Sequence, residues 1–142
     1  MRLRSGHDAD VPHAAVDDLL ARARSGWTRL SAVEAYEALQ DGALLVDTRT
    51  EAQRTRTGDL PGAVVIDRTV LEWRLDPTSP NRIPEADARP RVVVVCRQGY
   101  SSSLAARSLR DLGLDASDVV DGVEGWIEAG LPLTRGPADV RT

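Results

Sequence analysis

Hydrophobic and polar positions alternate along this chain in blocks that switch period. From Asp10 the pattern is helical: Val16, Leu19, Leu20 and Ala23 fall at i, i+3, i+4 and i+7, and Gly26 stops it. This helix is expected to pack on the outside of the fold. Trp27 to Leu30 reads as a short strand. Ser31-Ala-Val-Glu is a capping-box pattern and opens a helix to about Gln40, before the Asp41-Gly42 turn. Ala43–Val46 is a buried strand ending at Asp47. Residues 48–59 are polar and read as a connection, and Leu60-Pro61-Gly62 is a turn into the strand Ala63–Ile66. Val70–Arg74 suits one or two helical turns. Residues 75–91 carry Pro77, Pro80, Pro84 and Pro90 and read as a long surface loop with at most a turn of helix.

Val92–Val95 is the most apolar run. It is short and wholly β-branched, as a central parallel strand requires. Leu104, Ala105, Leu109 and Leu112 then line a helical face closed by Gly113. Val119-Val120 is a last short strand. Asp121-Gly122 turns into a helix ending near Gly130, and Pro132 blocks its continuation. Strands alternating with helices predict an α/β fold, a central, mostly parallel five-stranded sheet flanked by helices. The organisation expected is an extension over 1–26 with an amphipathic helix, a domain over 27–135 and a loose tail over 136–142. Residues 1–10 read as a mobile leader.

Composition then removes chemistries. The 142 residues suffice for one core, and 42% hydrophobic with 28% charged is ordinary globular usage. All 18 basic residues are Arg, so Schiff-base chemistry and a phosphate-loop lysine are excluded. Cys96 is the single Cys, which excludes an internal disulfide and a Cys-rich zinc cluster. The two His, His7 and His13, lie in the polar leader, away from any triad the rest of the chain builds. A net charge of −4 gives no basic footprint for nucleic acid, and no apolar run approaches the length of a membrane span. The start has basic residues but no hydrophobic stretch behind them, so the expectation is a cytoplasmic protein with a reduced Cys and no secretory signal.

Cys96 stands directly after the central strand and directly before a helix. Ligand sites of open parallel sheets lie beyond the carboxyl ends of the strands. A helix N-terminus there offers unpaired N–H groups and a positive dipole end, which acidify a thiol. Arg97 adds positive charge, and Gly99 lets the turn curl its amides toward the sulfur. Such a thiolate attacks phosphorus, sulfur, arsenic or a carbonyl. Carbonyl chemistry wants a His base. A Cys-x5-Arg phosphatase wants an Arg where Ser102 stands, and usually a His where Val95 stands.

Four motifs carry a resemblance over about residues 27–133. Cys96-Arg97-Gln98-Gly99-Tyr100-Ser101 resembles the active loop of single-domain rhodanese-like sulfurtransferases. Leu45-Val46-Asp47-Thr48-Arg49 resembles their strand-ending Val-Asp-x-Arg. Gly58-Asp59-Leu60-Pro61-Gly62-Ala63 resembles their Gly-His-Ile-Pro-Gly-Ala turn, and Asp121-Gly122-Val123-Glu124-Gly125-Trp126 their late Gly-Gly-x-x-x-Trp. Asp59 stands for the usual His, Asp121 for the first late Gly, and Gln98 and Tyr100 where thiosulfate-preferring members carry a second basic residue.

The resemblance implies sulfurtransferase activity through a Cys96 persulfide, with no metal or organic cofactor. A small anionic donor such as thiosulfate supplies sulfane sulfur, and cyanide, a thiol or a protein acceptor takes it. The alternative is a low-turnover persulfide carrier or interaction module docking a partner through the N-terminal helix. Arg97 is expected to neutralise the donor. Gln98, Gly99, Tyr100 and Ser101 are expected to cradle the sulfur with backbone N–H groups, and Ser101 or Ser102 to cap the helix. Asp47 and Arg49 are expected as structural support, Trp126 as core, and Trp73, Arg74 and Arg82 as an entrance bordered by the long loop.

Overall fold

The computed structural model describes residues 14–142. The leader over 1–10, the helical start at Asp10, His7 and His13 lie outside the described residues. Five strands form one sheet: β1 (Leu44–Asp47), β2 (Val64–Val65), β3 (Val92–Val95), β4 (Ala116–Asp118) and β5 (Asp139–Val140). Their spatial order is β4-β3-β1-β2-β5, and every pairing is parallel. Six α-helices flank it: α1 (Ala15–Arg24), α2 (Ala32–Gln40), α3 (Glu51–Thr57), α4 (Leu71–Leu75), α5 (Ser101–Asp111) and α6 (Gly122–Glu128).

The alternation of strand side chains divides the core in two. Val46, Val64, Val92 and Val94 face one layer, with Leu71, Leu75, Ala105, Ala106 and Leu109. Leu45, Val93 and Val95 face the other, with Ala35, Val119, Val123 and Trp126. Covering on both faces is why β3 can be four consecutive valines: neither side of that strand meets water. Trp126 is fully buried, edge-on to Tyr36 at 5.7 Å, with its indole N–H donated to the Pro132 carbonyl at 2.8 Å.

Several expected elements differ. Trp27–Leu30 is not a strand. Only Leu30 bridges, to Val119, while Trp27 donates its indole N–H to Ser117 and stacks under Arg110. The strand expected at Val119-Val120 is Ala116–Asp118, at one edge of the sheet. Its polar centre, Ser117 and Asp118, hides it from a reading of apolar runs. The polar connection 48–59 contains α3, which buries no residue and so shows no hydrophobic period. It stands on a Thr50/Gln53 capping box. The long loop folds inward in part: Ile83 and Ala86 are buried about a 3-10 turn at Pro84–Ala88. The chain end is not loose. β5 pairs with β2, and Arg141 holds Glu85 at 2.6 Å.

Helix faces also rotate from expectation. α1 buries Leu20 and Ala23 against α5, while Val16 and Leu19 face solvent. α5 buries Ser102, Ser103, Ala105, Ala106 and Leu109 and leaves Leu112 exposed, so its inward face begins with hydroxyls.

Candidate active site: the Cys96 loop

Cys96 follows β3 with 6% of its surface exposed, and α5 begins at Ser101. Between them the chain curls so that the Gly99 N–H donates to Sγ at 3.2 Å. Burial pushes the thiol up. Hydrogen bonds from the hydroxyls of Ser102 and Ser101, and from the N–H groups of Ser102 and Gly99, outweigh it and leave the thiol below its ordinary value. Ser102 has one hydroxyl proton and a second claimant, Asp118 Oδ2 at 2.8 Å. The backbone amides face no such competition, since the first turn of a helix has no internal acceptor for them. The helix start is Tyr100 with no side-chain cap, so neither Ser101 nor Ser102 caps α5 as expected; the Ser102 hydroxyl serves Asp118 instead.

Two supports shape the loop. The first is the start of α6. The N–H of Val123 donates to the Cys96 carbonyl at 2.8 Å, and that of Glu124 to the Arg97 carbonyl at 3.1 Å. Outward carbonyls leave the loop's amides free to turn inward. Gly122 makes this approach possible: with φ at +56°, a Cβ there would sit 2.3 Å from the Cys96 carbonyl oxygen.

The second support is a buried polar cluster behind the loop. Asp118 on β4 accepts from Arg29 on both oxygens at 3.0 Å, and from Ser102 and Ser103 at 2.8 and 2.9 Å. Arg29 then donates to the Gly99 carbonyl at 2.7 Å. Arg24, at the end of α1, donates to the same carbonyl at 2.9 Å and to Ser103 at 2.9 Å. Sequence reasoning missed Arg24, Arg29, Ser103, Asp118 and Glu124. The one local signal was a Ser-Asp pair inside a strand, since a buried carboxylate demands partners. Arg29 lies 89 positions from Asp118, beyond any local pattern.

The other expected residues are placed as follows. Arg97 pairs with Glu124 at 3.1 Å, both about half exposed, and the Gln98 amide lies near the same carboxylate. Asp47 and Arg49 form a buried bidentate pair at the end of β1, and Arg49 also donates to Thr57 and the Gly58 carbonyl. Trp73 is 57% exposed on α4. Arg74 donates to the carbonyls of Asn81 and Thr142, and Arg82 pairs with Asp87 at 2.6 Å. None of these bonds reaches the Cys96 loop.

A cavity of about 280 Å³ opens beside the loop. Gln53, Arg56 and Thr57 of α3 form one wall, and Arg97, Val123 and Ile127 the other. No described helix is long and apolar enough to cross a membrane.

This architecture has known counterparts. A structure from Rhodopseudomonas palustris, of unknown function and named as a possible tyrosine phosphatase, superposes with a TM-score of 0.77 at 28% identity, covering 87% of this chain and 97% of that one. Thiosulfate sulfurtransferase from Pseudomonas aeruginosa superposes with a TM-score of 0.69 at 25% identity, covering 89% of this chain and 23% of that one. Among curated proteins, an adenylyltransferase and sulfurtransferase of Arabidopsis thaliana is 32% identical over 70% of this chain and 24% of its own length. An HTH-type transcriptional regulator of Mycobacterium tuberculosis is 32% identical over 92% of this chain and 53% of its own. The chain thus spans about a quarter to a half of the curated relatives it matches. Residues 31–129, from the capping box through α6, match the family model of the rhodanese-like domain, and with the same sheet and helices around Cys96 this chain belongs to that family.

Proposed function

We propose that this protein is a sulfurtransferase working by double displacement at Cys96. The observation that carries it is the sulfur itself: a nearly buried thiol, lowered in pKa by inward amides and hydroxyls. In the first step the Cys96 thiolate attacks the outer sulfur of thiosulfate. The S–S bond of the donor breaks, a new S–S bond forms on Cys96, and sulfite leaves with the bonding pair. In the second step cyanide or a thiolate attacks the outer persulfide sulfur. Thiocyanate or a new persulfide leaves, and the Cys96 thiolate is restored. Charge balances in both steps, and neither requires a metal or organic cofactor. A lone Cys cannot form an internal disulfide, so the sulfur passes to an external small molecule or protein acceptor. The reduced thiol suits a cytoplasmic setting.

Gln98, Gly99, Tyr100, Ser101 and Ser102 form the cradle, and Arg97 meets the incoming anion. Asp47 and Arg49 hold the neighbouring strand end, and the entrance role goes to the cavity beside Arg97 rather than to Trp73, Arg74 and Arg82. A second reading, a low-turnover persulfide carrier, draws on one observation: Glu124 cancels the Arg97 charge that would attract a dianionic donor.

The test is a donor panel read by intact mass, with thiocyanate release measured in parallel. Sulfur transfer predicts a gain of one sulfur on wild type, none on Cys96→Ser, and ping-pong turnover. The carrier predicts the mass gain without turnover. Equal rates for wild type and Cys96→Ser would sink both. Hydrolysis of an aryl phosphate dependent on Cys96 would replace them with ester chemistry.

A further inference from the structure

The two guanidiniums on the Gly99 carbonyl come from Arg24 and Arg29, ahead of residues 31–129 that match the family model. The sulfur-bearing loop is therefore gripped by residues ahead of the matched segment. A trans peptide plane points its C=O and its N–H in opposite directions. Pulling the Gly99 carbonyl toward Arg24 and Arg29 turns the N–H of the same plane, that of Tyr100, away from them. It also settles the Gly99 torsions, and with them the N–H that meets Sγ at 3.2 Å. Gly99 sits at φ +89°, and a Cβ there would meet the Asp121 nitrogen at 2.9 Å and Arg29 at 3.1 Å, so the loop passes close against its clamp. Both bonds are charge-assisted, which makes them stronger than neutral ones and polarises the peptide they hold.

We propose that Arg24 and Arg29 are positioning residues for Cys96: held together by Asp118 and Ser103, they clamp the Gly99 carbonyl outward and so keep the loop amides aimed at the sulfur. The proposal takes from the sulfur-transfer reading only that Cys96 is the reacting group. The charged and titratable groups around the loop include Arg24, Arg29, Asp118, Asp121, Tyr100, Arg97 and Glu124. Arg24 and Arg29 bond the Gly99 carbonyl, while Arg97 pairs with Glu124. Arg24 also feels the sulfur: burial, then Arg29, lower its pKa, while Asp118, Tyr100 and Cys96 raise it.

The test is the pH profile of Cys96 alkylation by iodoacetamide, which needs no sulfur donor and so separates failure of the clamp from failure of the transfer reading. Arg24→Gln and Arg29→Gln are expected to move the midpoint to higher pH and to slow alkylation at neutral pH by roughly three- to tenfold. Arg24→Lys keeps a charged donor and is expected to recover most of the loss. Arg107→Gln, which removes a different link between α1 and α5, is expected to leave the profile unchanged. Thermal unfolding identifies any variant that fails to fold. Arg24→Gln, at a helix end, carries the test if Arg29→Gln does not fold. Folded Arg24→Gln with a wild-type profile overturns the proposal, as does a slower reaction with an unmoved midpoint. If both glutamine variants unfold, the Arg24→Lys profile decides: an Arg24→Lys midpoint shifted as far as that of Gly99→Ala, which deforms the loop directly, overturns it.

Discussion

The loops after β1 and β3 leave the same end of the same sheet, from strands paired with Asp47 opposite Val95. They solve opposite problems. After β1, Asp47 and Arg49 close on each other. The Arg49 N–H groups are spent on Asp47, Thr57 and the Gly58 carbonyl, and both side chains are almost wholly buried. After β3, hydrogen-bond donors rather than a paired opposite charge meet Cys96, and Arg24 acts on it only from behind the loop. Its neighbours are N–H and O–H donors aimed at one small sulfur, while the charges stand one layer back on the Gly99 carbonyl and on Asp118. A strand end whose charges neutralise each other holds structure. A strand end with donors converging on one atom stabilises a negative charge, and that is the condition for a nucleophilic thiolate.

The contrast can be broken at either loop. The largest effect is expected from Arg49→Met, which leaves Asp47 as an uncompensated buried charge. Urea unfolding should show a loss of about 3–5 kcal/mol; a loss under 1 kcal/mol would mean that the pair is not structural. Next is Gly122→Ala. Its Cβ is driven into the Cys96 carbonyl from a left-handed conformation, so a loss of roughly 2–4 kcal/mol is expected. Sulfur transfer by the folded fraction should fall with it, measured as thiocyanate release per folded molecule.

The thiolate itself gives a pH signature. The folded pKa of Cys96 lies below the ordinary thiol value of 9.0, so the unfolded chain binds the proton more readily. Native stability should therefore rise with pH from the folded pKa up to about 9.0, and be lost as pH falls back through the folded pKa. Cys96→Ser should flatten this window in denaturant titrations. An unchanged slope would show that the donors do not favour the charged form. The smallest effect is expected from Glu124→Gln. Breaking a half-exposed pair should change stability by about 0.5 kcal/mol or less. It releases Arg97, so kcat/KM for an anionic donor should rise by about twofold; a fall would give Glu124 a different role.

Much of this arrangement was legible in the order of residues. Val92–Val95 announced an inner strand because a parallel strand covered on both faces strongly favours apolar residues. Cys96 at its exit, with Gly99 behind it, announced a cradle because a small loop before a helix leaves amides unpaired. The capping box at Ser31 and the short helix near Leu71 were readable for equally local reasons. What local pattern could not show were elements without hydrophobic period. α3 buries nothing, β4 carries a buried Ser-Asp, and β5 is exposed on both residues and exists only because the edge of β2 receives it. The sequence also misdirected the helix faces: Ser102 and Ser103 point inward because Asp118 lies there, against the rule that serines face water.

By itself, then, the sequence determined which atom is the candidate nucleophile and the class of fold that presents it. Both follow from short-range rules: strand composition, turn geometry and the unpaired amides of a helix start. Only the tertiary structure decided how that atom is held. The loop's carbonyls are taken by α6 and by two arginines more than 65 residues away in the chain, and bonds of that span depend on where strands dock rather than on neighbours in sequence.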